Sequence, residues 1–295
     1  MEDHVVVVTG GASGIGRELS LALSSMGLTG LVITDIDAVN LEVTRRDCQI
    51  LLGSEVLSVV ADLRDPAAIF KLHESVIDAF GRCSVLINNA GSVSLGRFTD
   101  EPKESFDRVM DINFVAVVNM CRTFLPSLMK ETNSHIVNIS SMYGYFVSDS
   151  CSSYHASKFA VRGFSEALYL ELKNQVMVHV VHPGFSNTSL MKHSSNYSTE
   201  SRENIDAMFK QVSCSTPSQV AQHVIQGILN DQQRILIGPD AILTDILVRA
   251  APSLNLYLGR ESFLVFLTVV AKIASKVRFL FLFSRHICVL IEMVI

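Results

Sequence analysis

Near its amino end the chain reads Val5-Val6-Val7-Val8-Thr9-Gly10-Gly11-Ala12-Ser13-Gly14-Ile15-Gly16. Four consecutive valines suit a strand covered on both faces, as in a parallel sheet. The glycines at 10, 14 and 16 then permit a tight turn, a close approach of backbone to ligand, and close packing of the helix that starts there. That helix presents N–H groups and a partial positive charge at its start, so the turn predicts a site for a dinucleotide phosphate, with Ser13 and Ile15 beside the glycines. A glycine-rich turn is a weak signal alone; the strand before it and the helix after it strengthen it, although an ordinary βα turn stays open as a reading.

The same alternation continues outward. Short β-branched runs at 5–9, 31–34, 56–60, 85–88, 135–139, 176–181 and 234–237 predict strands. Helical periodicity occupies 14–26, 38–50, 66–80, 104–130, 152–173 and 217–230, with Pro66 and Pro217 at first turns, where the missing N–H costs nothing. There is no internal repeat and no Pro/Gly/Ser linker. The pattern predicts an α/β fold, one doubly wound domain over residues 1–250 around a seven-stranded parallel sheet. A segment rich in Ser, Asn and Met, 185–215, follows the sixth strand and is expected to form a lid outside the strand ends.

Composition narrows the function classes. The 295 residues are 48% hydrophobic and 18% charged, enough apolar content for a full core. Lys plus Arg number 24 against 29 acidic residues, a net charge of −5, which supplies no electrostatic footprint for nucleic acid. The six cysteines form no C-x-x-C pair, so no metal site or disulfide framework is indicated and a reducing compartment is expected. Met1-Glu2-Asp3-His4 lacks the basic start of a secretion signal, which makes a cytoplasmic location the expectation.

Asp35 closes the second strand, about twenty residues past the glycine turn, where a carboxylate accepts bonds from ribose hydroxyls and repels a 2′-phosphate. This favours NAD over NADP. Arg17 and Arg45 are the cations near enough in sequence to oppose that choice, and a simple turn with Asp37 is the alternative role for Asp35. Tyr154 and Lys158 stand four apart at the start of a helical stretch, so both project from one face. A lysine beside a phenol favours the phenolate and turns the tyrosine into a usable acid/base. Taken in isolation, that spacing also fits two surface residues. Ser141 follows the fifth strand at the same sheet end, where its hydroxyl can bond a substrate oxygen.

Together, Thr9-Gly10-x-x-x-Gly14-x-Gly16, Asp62, Asn88-Asn89-Ala90-Gly91, Asn113, Ser141, Tyr154-x-x-x-Lys158 and Pro183-Gly184 followed by Thr188 resemble the short-chain dehydrogenase/reductase family, over roughly residues 4–240. The resemblance implies a Rossmann-like fold and hydride transfer between a nicotinamide cofactor and an alcohol or ketone. It implies that Tyr154 is the acid/base, Ser141 the residue polarising the carbonyl, and Lys158 both the tuner of Tyr154 and a ligand of the nicotinamide ribose. Asn113 is implied as anchor of a water leading to Lys158, and Asp62 and Leu63 as the adenine contacts. Asn89, Ala90 and Gly91 would line the cofactor cleft, and Pro183, Gly184 and Thr188 would hold the carboxamide. A homodimer or homotetramer through 104–130 and 152–173 is implied as well.

Other residues near this constellation have plainer readings. His155, His179 and His182 are expected to be structural, and Cys151 has no adjacent His to make it a nucleophile. Met142, Phe146, Phe185, Leu190 and Met191 flank the cleft; as a wall they predict a hydrophobic alcohol or ketone. Residues 251–295 form an apolar extension that carries Arg260, Lys272, Lys276, Arg278 and Arg285 against Glu261 and Glu292. Charges interrupt it too often for a membrane span; a basic amphipathic helix at a membrane surface, a packing element and an unstructured extension are its three readings. Two rival functions follow: a membrane-associated NADPH-dependent lipid ketone reductase, and a cofactor-binding sensor without catalysis.

Overall fold

The computed structural model describes residues 1, 3–53, 55–186, 213–253 and 256. Seven parallel strands lie in the order β3-β2-β1-β4-β5-β6-β7. They are β1 (Val5–Thr9), β2 (Gly30–Asp35), β3 (Val56–Val60), β4 (Val85–Asn88), β5 (His135–Ile139), β6 (Met177–Pro183) and β7 (Arg234–Ile237). The helices are α1 (Gly14–Ser24), α2 (Ala38–Leu52), α3 (Pro66–Phe80), α4 (Lys103–Met110), α5 (Ala116–Leu128), α6 (Ser152–Glu171), α7 (Pro217–Leu229) and α8 (Pro239–Ala250).

Val5 to Val8 are wholly buried because the sheet is covered on both faces. On one side α1, α2 and α7 pack Leu19, Leu23, Leu41 and Val224 onto it; on the other, α3, α5 and α6 contribute Leu72, Phe124 and Val161. Local chemistry sets the helix ends. Asp37 and Asp65 accept backbone bonds as caps of α2 and α3, which end at Gly53 and Gly81, both left-handed at φ 70°. Thr216 and Gln219 form a reciprocal capping box at the head of α7.

The chain winds outward in one direction from β1 and in the other from β4, and these two strands are neighbours. Their carboxyl ends therefore open a crevice, the place where a doubly wound sheet binds ligands. Three departures from the sequence reading bear on that crevice. The helix expected over 104–130 is broken by a π-helical turn at Asp111–Val115 between α4 and α5. Strand β6 runs on to Pro183, since His182 and Pro183 pair with Leu236 and Ile237. Helix α8, with Pro239 in its first turn, was absent from the sequence reading. Most of the expected lid, 187–212, and nearly all of the extension lie outside the described residues, as do Thr188, Leu190 and Met191. Among the described residues no helix is long and apolar enough to cross a membrane.

Candidate active site

A cleft of about 1110 Å³ occupies the crevice. Of the residues expected in a site, Gly16 and Asn113 stand behind its wall and Thr188 is not described; all the others line it.

The floor is the glycine turn. Gly10 has φ +70° and Gly14 φ +54°, conformations that side chains resist. A Cβ on Gly16 would sit 2.1 Å from the Gly10 carbonyl oxygen, so α1 can approach the turn only because that position is bare. The Ala12 N–H donates to Asp35 Oδ2 at 3.0 Å and the Asp37 N–H to Asp35 Oδ1 at 3.1 Å, which ties the turn to the end of β2. On the other side, Thr9 Oγ1 accepts from the Asn89 and Ala90 N–H groups, both at 2.9 Å, and the Asn89 amide donates back to the Thr9 carbonyl. These bonds fix the mouths of β1 and β4 against each other. The first turn of α1 carries no acidic side chain to repel a diphosphate. Bare glycines, helix amides and the Asp35 carboxylate in the cleft together fit a dinucleotide.

Both cations that could have favoured a 2′-phosphate are engaged by carboxylates. Arg17 lines the cleft but pairs with Glu18 and, at 2.8 Å, with Asp47; Arg45 lies outside it and pairs with Glu42. The sequence reading overlooked Arg64. Its guanidinium grips the Asp62 carboxylate at 2.6 to 3.1 Å and holds that group below the usual carboxylate range. Adjacent charges with the spacing Asp-x-Arg were the available signal.

The chemistry gathers on the opposite wall. Tyr154 and Lys158 leave α6 on one face, and Lys158 Nζ stands 5.6 Å from the Tyr154 ring centre. Lys158 is 5% exposed, and its ammonium donates to the Ile139 carbonyl at 2.8 Å. Burial pushes the amine down to about 8. It also pushes the Tyr154 phenol up to about 12, against a hydrogen bond with Ser141 that lowers it. The expected depression of the tyrosine by its lysine is therefore not seen in the protein alone, where desolvation of both groups outweighs their attraction. Tyr154 is held as the protonated phenol.

Ser141 is positioned from three directions. Its Oγ accepts from the Tyr143 N–H at 3.2 Å, its carbonyl accepts from His182 Nδ1 at 2.8 Å, and the preceding Ser140 Oγ donates to the Lys158 carbonyl. Asn113 is fully committed behind the site: Oδ1 accepts from the Ser92 N–H, while Nδ2 donates to the Ser92 carbonyl and to Ser157 Oγ, each within 2.9 Å. Both of its side-chain N–H groups are thereby used. The π-helical turn delivers this side chain inward, and Ser157, which sequence reasoning missed, passes the restraint to α6 through the Tyr154 carbonyl.

The histidines expected to be structural bond the main chain: His179 the Gln232 carbonyl and His182 the Ser141 carbonyl. His155 bonds the Cys151 carbonyl and accepts the Ser148 N–H, closing the loop over the α6 start. Burial pushes the Cys151 thiol up to about 12, which leaves it inert. Met142 and Phe185 line the cleft, whereas Phe146 lies deeper in the adjoining apolar cluster. Tyr143, not foreseen as part of the wall, stands between them and packs edge-on against Phe185.

The sequence profile of the short chain dehydrogenases matches residues 4–198. SadH of Mycobacterium tuberculosis is 34% identical over 252 residues, which cover 84% of this chain and 91% of that protein. Mouse estradiol 17-beta-dehydrogenase 11 is 29% identical over 84% of this chain and 80% of its own. A solved short chain dehydrogenase/reductase from Burkholderia phymatum in complex with NAD superposes with a TM-score of 0.78 and 27% identity, covering 86% of this chain and 95% of that one.

Proposed function

From the premise that the chain belongs to the short chain dehydrogenase family, and is thus an NAD(P)-dependent oxidoreductase, we propose that it interconverts a hydrophobic secondary alcohol and its ketone with NAD(H). The observation that carries this reading is the convergence of Ser141, Tyr154 and Lys158 on one cleft with the glycine turn and Asp35.

The nicotinamide supplies or accepts the hydride. The chain's own residues handle the oxygen. Ser141 Oγ and the Tyr154 phenol bracket the substrate oxygen, and in the reducing direction the phenol proton passes to it as carbon becomes tetrahedral. Lys158, buried and charged beside the ring, stabilises the phenolate that this leaves. In the oxidising direction the same phenolate takes the alcohol proton. Asp35 selects NAD over NADP through the ribose hydroxyls, and Arg17 and Arg45 are already paired with carboxylates. Met142, Tyr143 and Phe185 favour an apolar substrate, in keeping with a relative named for estradiol.

The test is a fluorescence titration with NADH and NADPH side by side, using Asp35→Ala as control. Tighter NADH binding, lost or inverted in the variant by about tenfold, is expected from a lost pair of hydrogen bonds to a charged acceptor. Tighter NADPH binding overturns the assignment and favours the NADPH-dependent ketone reductase. Faster turnover of a small polar ketone than of a long-chain or polycyclic one overturns the substrate class.

Assembly and membrane contact are part of the same proposal. Val115 and Phe159 place exposed apolar surface on the π turn and α6, the surface through which a homodimer or homotetramer would form. Sedimentation gives the mass, and a monomer removes this reading. Liposome sedimentation of protein truncated after Arg260 checks the basic, apolar extension; unchanged binding removes its membrane role.

A further inference from the structure

We infer that Asp240 is a positioning residue for the cleft, a buried latch that holds the Gly184–Phe185 main chain where cofactor and substrate meet it. The inference rests on the functional reading above.

Asp240 lies in the first turn of α8 and is 1% exposed. Its Oδ2 accepts from the Phe185 N–H at 2.6 Å. The carboxylate fills the space beside Gly184: a Cβ there would stand 2.2 Å from Oδ1 and 2.3 Å from Oδ2. Gly238, at φ +98°, would place a Cβ 2.4 Å from Oδ1. Two bare positions thus accommodate one charged side chain. The amides at the head of α8 support the charge, while burial raises the carboxyl above its ordinary range. Even so, Oδ1 has no hydrogen bond of normal geometry among the described residues. A half-satisfied buried carboxylate is a poor device for stability alone, since an apolar or amide side chain of that size avoids its desolvation cost.

What it secures is the wall. Gly184 and Phe185 line the cleft, and the Gly184 N–H donates to the Ile237 carbonyl at 2.8 Å. The Phe185 carbonyl accepts from the Cys214 N–H, and its ring stands edge-on to Tyr143, 5.9 Å between centres. The Tyr143 N–H in turn donates to Ser141 Oγ. One carboxylate bond therefore fixes the segment that faces the nicotinamide end and, through two aromatic rings, abuts the serine that meets the substrate.

Asp240→Asn keeps the shape and an acceptor, whereas Asp240→Ala removes both. In Asp240→Ala the NADH dissociation constant and the KM for a hydrophobic ketone are each expected to rise about tenfold, the loss of one buried charged hydrogen bond, with Asp240→Asn within about threefold of the parent. The Phe185 amide should exchange hydrogen for deuterium faster in the alanine variant and at the parental rate in the asparagine variant. Equal kinetics and exchange in parent and alanine variant overturn the latch, and so does equal damage in both variants accompanied by an equal loss of melting temperature. Should the alanine variant not fold, Gly184→Ala, which displaces the carboxylate without removing it, takes its place with the same expected directions. If the parent binds neither NADH nor NADPH, the functional reading fails, while the exchange rates still judge the latch.

Discussion

The two ends of the one sheet bury their histidines in opposite ways. At the amino ends of the strands, His135 Nδ1 lies 3.0 Å from His179 Nε2, and His179 Nδ1 lies 2.7 Å from the Gln232 carbonyl. His135 Nε2 meets Asn133, and His4 Nδ1 meets Ser84 Oγ at 2.9 Å. The order of protons follows: His179 donates from Nδ1, so its Nε2 accepts from His135 Nδ1, and His135 Nε2 accepts in turn from the Asn133 amide, turned so that its NH₂ faces the ring. Both ring nitrogens of His135 and of His179 have partners, although Arg82 Nε and Arg234 Nε near the same strand ends are buried with none among the described residues. At the carboxyl ends, by contrast, Thr34 Oγ1, Asn88 Oδ1, Ser92 Oγ, His182 Nε2 and Asp240 Oδ1 are buried with no hydrogen bond among the described residues. The closed histidine relay ties the strand starts together, and the open groups at the carboxyl ends leave capacity for a ligand and for restraint of the groups around it.

That contrast can be broken most forcefully at Tyr154. Tyr154→Phe removes the proton donor and should cut turnover by roughly 10²- to 10⁴-fold while NADH still binds. Steady-state kinetics with a binding titration reads both; surviving turnover would remove Tyr154 as the acid/base, and a parent that binds NADH without turning over any alcohol or ketone would favour the sensor. The amino end should answer in the opposite currency. His135→Phe leaves His179 Nε2 buried without its donor and should cost about 1–3 kcal/mol of stability, measured by urea unfolding, with kcat unchanged.

The pH dependence of unfolding sharpens the comparison further. Burial pushes His135 and His182 down to about 3, and His4 and His179 downward as well. These rings are neutral in the folded protein and protonate in the unfolded chain below its ordinary histidine value. Their contribution is complete above that value and is lost as pH falls from about 6.5 toward 3, with a slope of up to about 1.4 kcal/mol per pH unit for each ring. Stability that stays flat from pH 7 to 5 would show that these histidines are not buried neutral. The smallest effect is expected at Ser157. Ser157→Ala removes the link from Asn113 to α6 and should lower kcat by about tenfold or less, with KM for cofactor little changed. An equal rise in KM would mean that the link serves cofactor binding instead.

How much of this was legible depends on the range of the cause. Strands such as 5–9, 85–88 and 135–139 coincide with the sequence reading because a parallel strand buried on both faces is written as a local β-branched run with polar ends. Tyr154 and Lys158 were legible because helical spacing alone puts them on one face. The π-helical turn was not, since it is set by bonds from Asn113 to Ser92 and Ser157 across the fold, while its sequence, Asp-Ile-Asn-Phe-Val, reads as ordinary helix. Asp240 was missed for a similar reason: its partner, the Phe185 N–H, lies 55 positions earlier. The direction of the tyrosine shift was misjudged because spacing reveals proximity to a lysine but not the dehydration of both groups.

The π-helical turn makes chain length itself part of the site. An α-helix advances by about 100° per residue, and a π turn carries in effect one surplus residue. Deleting a single residue from 111–115 would let α4 run into α5 as uninterrupted helix. Both flanks would keep their phase, but the bulge that turns Asn113 toward Ser92 and Ser157 would be gone. The count of residues between Met110 and Ala116 is thus as consequential as their identity: a deletion that leaves α4 and α5 in phase would still take away the support behind Tyr154.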